Sequence, residues 1–174
     1  MRSKLPFKRS RWGPGMVYAV PLADGTFGHV QAISAAMANV IDIAVFSTRS
    51  SHLPSAPPNF AKAEVVSLAA TWRQDLNSGR WAALGEAPLA VQSCEMPNQV
   101  VLRTGTLVGV KHSDAGLITD LLNAWHGLVP WNVMFDESYF DAMLAPGVSR
   151  PSTAVMLAPA QRAAFRAREA ANGA

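Results

Sequence analysis

The chain of 174 residues has one cysteine, Cys94. A lone thiol closes no intramolecular disulfide, so burial has to hold the fold, and the composition suits a reducing cytoplasm. Free cysteine behaves as a small hydrophobe, so Cys94 is expected to be buried and inert. No apolar run reaches 18 residues, which predicts no transmembrane helix. The basic segment Met1–Trp12 lacks the apolar stretch of a secretory signal. The histidines (His29, His52, His112, His126) never stand three or four residues apart, and none joins Cys94 in a cluster. Zinc usually needs four converging ligands, so neither metal nor cofactor is expected. Phosphate loop, Gly-x-Gly-x-x-Gly and Gly-x-Ser-x-Gly are all missing, and no enzymatic activity is expected. A pairing of Asp120 with His112 or His126 as base and orienter has no local support, and the adjacent Asp136 and Glu137 read first as helix-start acids.

Charge of one sign is missing from two stretches. The first dozen residues carry Arg2, Lys4, Lys8, Arg9 and Arg11 and no acid. From His112 to Ser149 there is no Lys or Arg, while Asp114, Asp120, Asp136, Glu137 and Asp141 stand there. The net charge of +3 therefore averages a basic arm and an acidic C-terminal third, two different electrostatic surfaces.

What is present is mostly strand pattern. Two extended runs, near 15–22 and 26–33, flank Asp24-Gly25, a pair suited to hairpin turns because glycine accepts positive φ. Val40–Phe46 is short and β-branched, a third strand. Ser47–Asn59, with three prolines, reads as a loop. Ala63–Ala70 reads as a strand, with helix as the alternative its alanines favour. Asn77-Ser78-Gly79 is a turn, and Pro88 confines any strand at 80–85 to a sheet edge. Gln99–Leu102 and Thr106–Val110 form two more strands around Thr104-Gly105. Leu117, Ile118, Leu121, Leu122 and Trp125 then share one helical face, which Ser113 or Asp114 caps. A second short helix is predicted from Asp136, with Tyr139, Phe140, Met143 and Leu144 on one side and Gly147 beyond it. Pro159–Ala171 is helical by propensity, with a thin apolar face.

Strands first and helices last predict an α+β fold. The expected architecture is a strongly bent antiparallel sheet or small SH3-like barrel opened by a β-hairpin, with helices in the C-terminal third. The expected organisation is a mobile basic arm over 1–12, a single domain over 13–158, and a C-terminal helix and tail over 159–174. Of five tryptophans, Trp125 completes the helix face, while Trp81 and Trp131 are core plugs or partner anchors.

Two stretches carry a family resemblance. Gly15-Met16-Val17-Tyr18-Ala19-Val20-Pro21-Leu22-Ala23-Asp24-Gly25-Thr26-Phe27-Gly28 is one, and Ser78-Gly79-Arg80-Trp81-Ala82-Ala83-Leu84-Gly85-Glu86-Ala87-Pro88-Leu89 is the other. Together they resemble the immunity protein 26 family of bacterial polymorphic toxin systems. The resemblance implies a cytoplasmic, non-enzymatic α+β protein that binds a cognate toxin and blocks it. The expected contact surface is acidic, made of Asp114, Asp120, Trp131, Asp136, Glu137 and Asp141, and suits a basic toxin. The alternative is a nucleic-acid-binding SH3-like module that uses the basic arm.

Overall fold

A bent antiparallel sheet organises the molecule, and the computed structural model describes residues 7–172. Strand β1 (Met16–Pro21) turns into β2 (Phe27–Met37), which pairs with β3 (Val40–Ser50). Strand β4 (Val65–Trp72) adds to β3, the short helix α1 (Arg73–Asn77) follows, and β5 (Ala82–Glu86) returns to the far side of β1. The order across the sheet is β4-β3-β2-β1-β5, antiparallel throughout. Residues 99–101 (β6) and 107–110 (β7) form a separate two-stranded hairpin. Helices α2 (Ala115–Trp125) and α3 (Pro159–Asn172) complete the fold.

Register shifts between Gly28 and His29, Ala32 and Ser34, and Ala35 and Met37 bend β2 over β3. The bend does not close the sheet, so of the two expected forms the bent antiparallel sheet is the one present and the SH3-like barrel is not. One free edge, β4, is covered instead. The Ser113 N–H donates to Ala70 O at 2.8 Å, the Ala145 N–H to Val66 O at 2.8 Å, and the Ser67 hydroxyl to the Met143 carbonyl. A covered edge offers no template for unwanted strand pairing.

Both sheet faces are buried, which explains why β3 reads as a nearly continuous apolar run, interrupted only by buried Asp42 before Ser47, rather than an alternation. Tyr18, Val20, Val30, Ile41, Ile43 and Val45 pack under Ile118 and Leu122 of α2. On the opposite face Ile33, Phe46 and Val65 meet Phe60 and Val91. The Phe60 ring stacks on Phe46 with centroids 3.8 Å apart. The expected loop at 47–59 therefore begins later, because β3 continues to Ser50 before the chain folds under the sheet.

The first hairpin holds a three-residue loop, Ala23-Asp24-Gly25. The Leu22 N–H donates to Thr26 O and the Gly25 N–H to Leu22 O, and Gly25 alone takes positive φ, 82°. The β6–β7 loop repeats this geometry with Gly105 at φ 81°. Asp24 clamps the first loop by accepting from the Thr26 hydroxyl and N–H and pairing with Arg49 at 3.2 Å.

Helix α2 starts where Asp114 accepts from the Leu117 N–H at 2.8 Å. It stops at Gly127 (φ 71°), whose N–H bonds Ala124 O while the Leu128 N–H bonds Asn123 O. Its outer side carries a further cluster of Leu121, Ala124, Trp131 and Phe140. The helix expected from Asp136 does not form. Asp136 spends its carboxylate on the Ser138 N–H and hydroxyl, an alternative to helical bonding, and a single 3-10 turn, Asp141–Met143, is all that follows. The described part of the basic arm, 7–12, lies against the body: the Phe7 N–H donates to Gly79 O at 3.1 Å and the Trp12 N–H to Asn77 Oδ1 at 2.8 Å. Residues 1–6 fall outside the described range. Helix α3 is tied down by Arg162, which donates to the carbonyls of Asn132, Met134 and Phe135.

Candidate binding surface

The structure divides the six residues expected to form an acidic contact surface. Trp131 is fully buried, its ring 5.6 Å from Phe140 and 6.5 Å from Trp125, so it is core and not a partner anchor. Its indole N–H donates to Asp141 Oδ1 at 3.1 Å, and Asp141 also pairs with Arg150 at 2.6 Å. Asp141 is thus a structural acceptor with its charge compensated. Asp114 is the α2 cap. Asp120 lines a cleft of about 390 Å³ between α2, the 129–135 segment and α3, facing Arg166. Partial burial there raises its carboxyl above the usual range, and Asp114 adds to the effect. Asp114 and Asp120 keep exposed surface, and so do the adjacent Asp136 and Glu137. The last two follow Phe135, which is 87% exposed with Arg166 above its ring at 5.3 Å. The Ser138 hydroxyl holds Asp136 ionised below its ordinary pKa. Of the acids in this third only Asp141 is ion-paired among the described residues, by Arg150, so Asp114, Asp120, Asp136 and Glu137 remain as the exposed acids.

The larger unexplained surface is the β6–β7 hairpin, which carries no expected site residue. Val100, Val101, Leu102, Leu107 and Val108 are each about half exposed. A lone two-stranded hairpin is marginal in water, so an anchor is needed. Asn98 supplies it at the hairpin base. Its amide donates to Asp42 Oδ1 of β3 at 2.8 Å, and its carbonyl accepts from the Lys111 N–H. Buried Asp42 takes its second bond from the Ser34 hydroxyl at 3.0 Å. A cleft of about 270 Å³ runs beside this base, floored by Ser67–Ala70 of β4 and walled by Pro97, Lys111 and the 142–146 segment. Arg103 and Lys111 are the hairpin's charges. In the sequence these valines and leucines read as ordinary strand, and nothing there says that no second layer covers them.

Cys94, expected to be buried, is exposed on the 3-10 turn Ser93–Glu95. Among the described residues no three His, Cys, Asp or Glu side chains converge as a metal site would require. The nearest approach to a catalytic pair is Ser50 Oγ, 3.1 Å from Nε2 of buried His29, whose Nδ1 lies 3.0 Å from the Thr48 hydroxyl. A nucleophile and base need that reach, but the third partner here is a neutral threonine that cannot stabilise an imidazolium.

Burial lowers the pKa of His29, against smaller opposing effects of the Thr48 carbonyl and Glu64. Burial also lowers that of His126, helped by Arg49 and His29 and opposed by Asp24. With folded pKa values below the unfolded value of about 6.5, the unfolded chain binds more protons in the acid window. This part of the stability is complete above about pH 6.5 and is lost as pH falls through the folded values. Thermal melts between about pH 8 and 5 should show a falling midpoint, and His29→Asn should flatten the fall. A midpoint that holds steady or rises toward pH 5 contradicts the assignment.

No helix among the described residues is long and apolar enough to cross a membrane. No protein-family model matches the chain, and neither the curated proteins nor the solved structures contain a significant match.

Proposed function

We propose that this chain is an immunity-type binding protein, which neutralises a cognate bacterial toxin in the cytoplasm by covering it, without catalysis. The observation that carries the binding role is the β6–β7 hairpin, which holds five apolar side chains out of the core. Apolar surface of this kind on an otherwise well-buried protein marks a contact site. The immunity role rests on the resemblance, and the fold supports it in one respect. The two resembling stretches form one structural unit: β1 pairs with β2 on one side and β5 on the other. Trp81 of the second stretch is buried against Tyr18 of the first.

In this reading the hairpin supplies the apolar centre of the contact. The Phe135-Asp136-Glu137 tip meets a basic part of the toxin. Buried apolar anchors set most of the affinity, whereas rim charges mostly set the association rate. Val101→Asp with Val108→Asp should weaken binding to the toxin encoded beside this chain by about 100-fold or more and abolish protection in cells. Both positions are half exposed, so the fold should survive. Asp136→Asn with Glu137→Gln should slow association several-fold and leave dissociation nearly unchanged. Biosensor kinetics and a toxin-protection assay give both answers. Full protection by the hairpin double variant, with its fold intact, refutes the hairpin contact.

A further inference from the structure

A cleft of about 840 Å³ lies beside α1, where the Trp72 ring packs edge-on with His112, centroids 4.1 Å apart. Arg9, Asn39, Trp72, Arg73, Gln74 and Asn77 are among the residues that line it. The arm forms one wall, which is why no local motif announces the site.

The wall is rich in donors and poor in acceptors. Two guanidinium groups, Arg9 and Arg73, face a single carboxylate, Asp75, which already accepts from the Ala115 N–H at 3.2 Å. Neither arginine forms an ion pair among the described residues. One Arg73 nitrogen donates to the Ala38 carbonyl, but its Nε–H finds no acceptor. Asn77 uses its oxygen on the Trp12 N–H, which leaves its NH2 group to donate. Exposed Lys8 and Arg11 add positive potential beside the opening. The indole of Trp72 supplies an apolar ring wall, and the amides of Asn39 and Gln74 stand near it.

We propose that this cleft binds a nucleoside phosphate, with the phosphate between Arg9 and Arg73 and the base against Trp72. Guanidinium groups suit phosphate because their planar N–H forks match its oxygens. An aromatic face with flanking amides suits a planar base, which stacks and hydrogen-bonds along its edge. The volume lies in the usual range for small-ligand sites. The same chemistry is offered by a free nucleotide and by the 5′-phosphorylated end of a single strand. This site is independent of the toxin contact, so either can fail alone.

The test uses AMP, adenosine, ribose 5-phosphate, and an RNA hexamer with and without a 5′-phosphate, titrated into the full chain by calorimetry and by NMR. AMP should bind with Kd on the order of 10–100 µM, and adenosine and ribose 5-phosphate at least about tenfold more weakly. Shifts should concentrate on the Asn39, Gln74 and Asn77 side-chain amides and the Trp72 indole. Arg73→Gln and Arg9→Gln should each weaken AMP about tenfold or more. Arg9 is exposed, so its variant keeps the test valid if Arg73→Gln fails to fold. Hexamer binding that needs the 5′-phosphate and exceeds AMP assigns the site to strand ends, while equal or weaker binding assigns it to free nucleotide. Absence of AMP binding at about 5 mM, binding as tight by adenosine, or indifference to both arginine variants overturns the proposal.

Discussion

Trp131→Ala should cost about 3–5 kcal/mol, the range for removing a buried aromatic from a packed core. In a chain of this length that lowers the thermal midpoint by about 10 °C. The ring fills the space between α2 and the segment returning from Phe140. Phe140 meets it edge-on with centroids 5.6 Å apart, Trp125 lies tilted at 6.5 Å, and Arg150 sits over the ring with its guanidinium carbon 5.9 Å from the centre. The Trp131 backbone N–H donates to Val155 O at 2.7 Å, so the side chain also fixes where the chain passes on toward α3. Trp131→Phe should cost less, about 1–2 kcal/mol. It keeps most of the apolar contact, and Asp141 retains Arg150 when the indole donor is lost. Urea melts of both variants measure this. A loss below about 1 kcal/mol for the alanine variant would mean that the indole is not a packing element, and would return it to the candidate contact surface.

The second large effect is expected at Gly15 rather than at the hairpin glycine that stands out in the sequence. Gly15 has φ 85°, and a Cβ there would lie 2.8 Å from the Ala87 carbonyl oxygen. Its N–H donates to Ala32 O and its carbonyl accepts from the Ala87 N–H at 2.9 Å, so the neighbouring backbone is pinned on both sides. Gln31 pins it further, donating to Pro88 O at 3.0 Å while accepting from the Ala90 N–H. Gly15→Val therefore combines left-handed strain in a β-branched residue with a backbone clash, and should cost more than about 3 kcal/mol. Gly25 has almost the same φ, 82°, but nothing lies within 4 Å of its Cβ position. Gly25→Val should cost only the strain, about 1–2 kcal/mol. Matched melts of the two variants separate the contributions. Equal losses would show that the 87–90 segment yields freely and that Gln31 does not hold it.

The secondary structure was legible wherever the local pattern was unambiguous. Hydrophobic period placed α2, and its cap was narrowed to Ser113 or Asp114, of which the structure uses Asp114, whose carboxylate accepts from the N–H three residues on. The Asp24-Gly25 and Thr104-Gly105 turns announced themselves through the one residue that accepts positive φ cheaply. Pro88 marked β5 as an edge for the same local reason, since proline cannot donate to a ladder. The helix expected from Asp136 failed because a side chain can compete with the helix for backbone N–H groups, and which one wins depends on packing around Phe140.

The candidate surfaces were much less visible, and the reason is distance along the chain. Asp141 reads as a free acid until Arg150 and the Trp131 indole are placed on it. Asp120 comes to line one cleft with Arg166, 46 positions later, only through the docking of α3. Val101 and Val108 look like any strand residues, and Cys94 like any buried thiol, until the fold leaves them uncovered. The α+β order of elements, the turn positions and the start of α2 follow from local pattern, because each depends on contacts within a few residues. The open sheet, the compensated charge of Asp141 and the apolar residues left in water follow from long-range packing. Those outcomes depend on which distant segments come to lie over each residue, and burial and charge pairing act between neighbours in space.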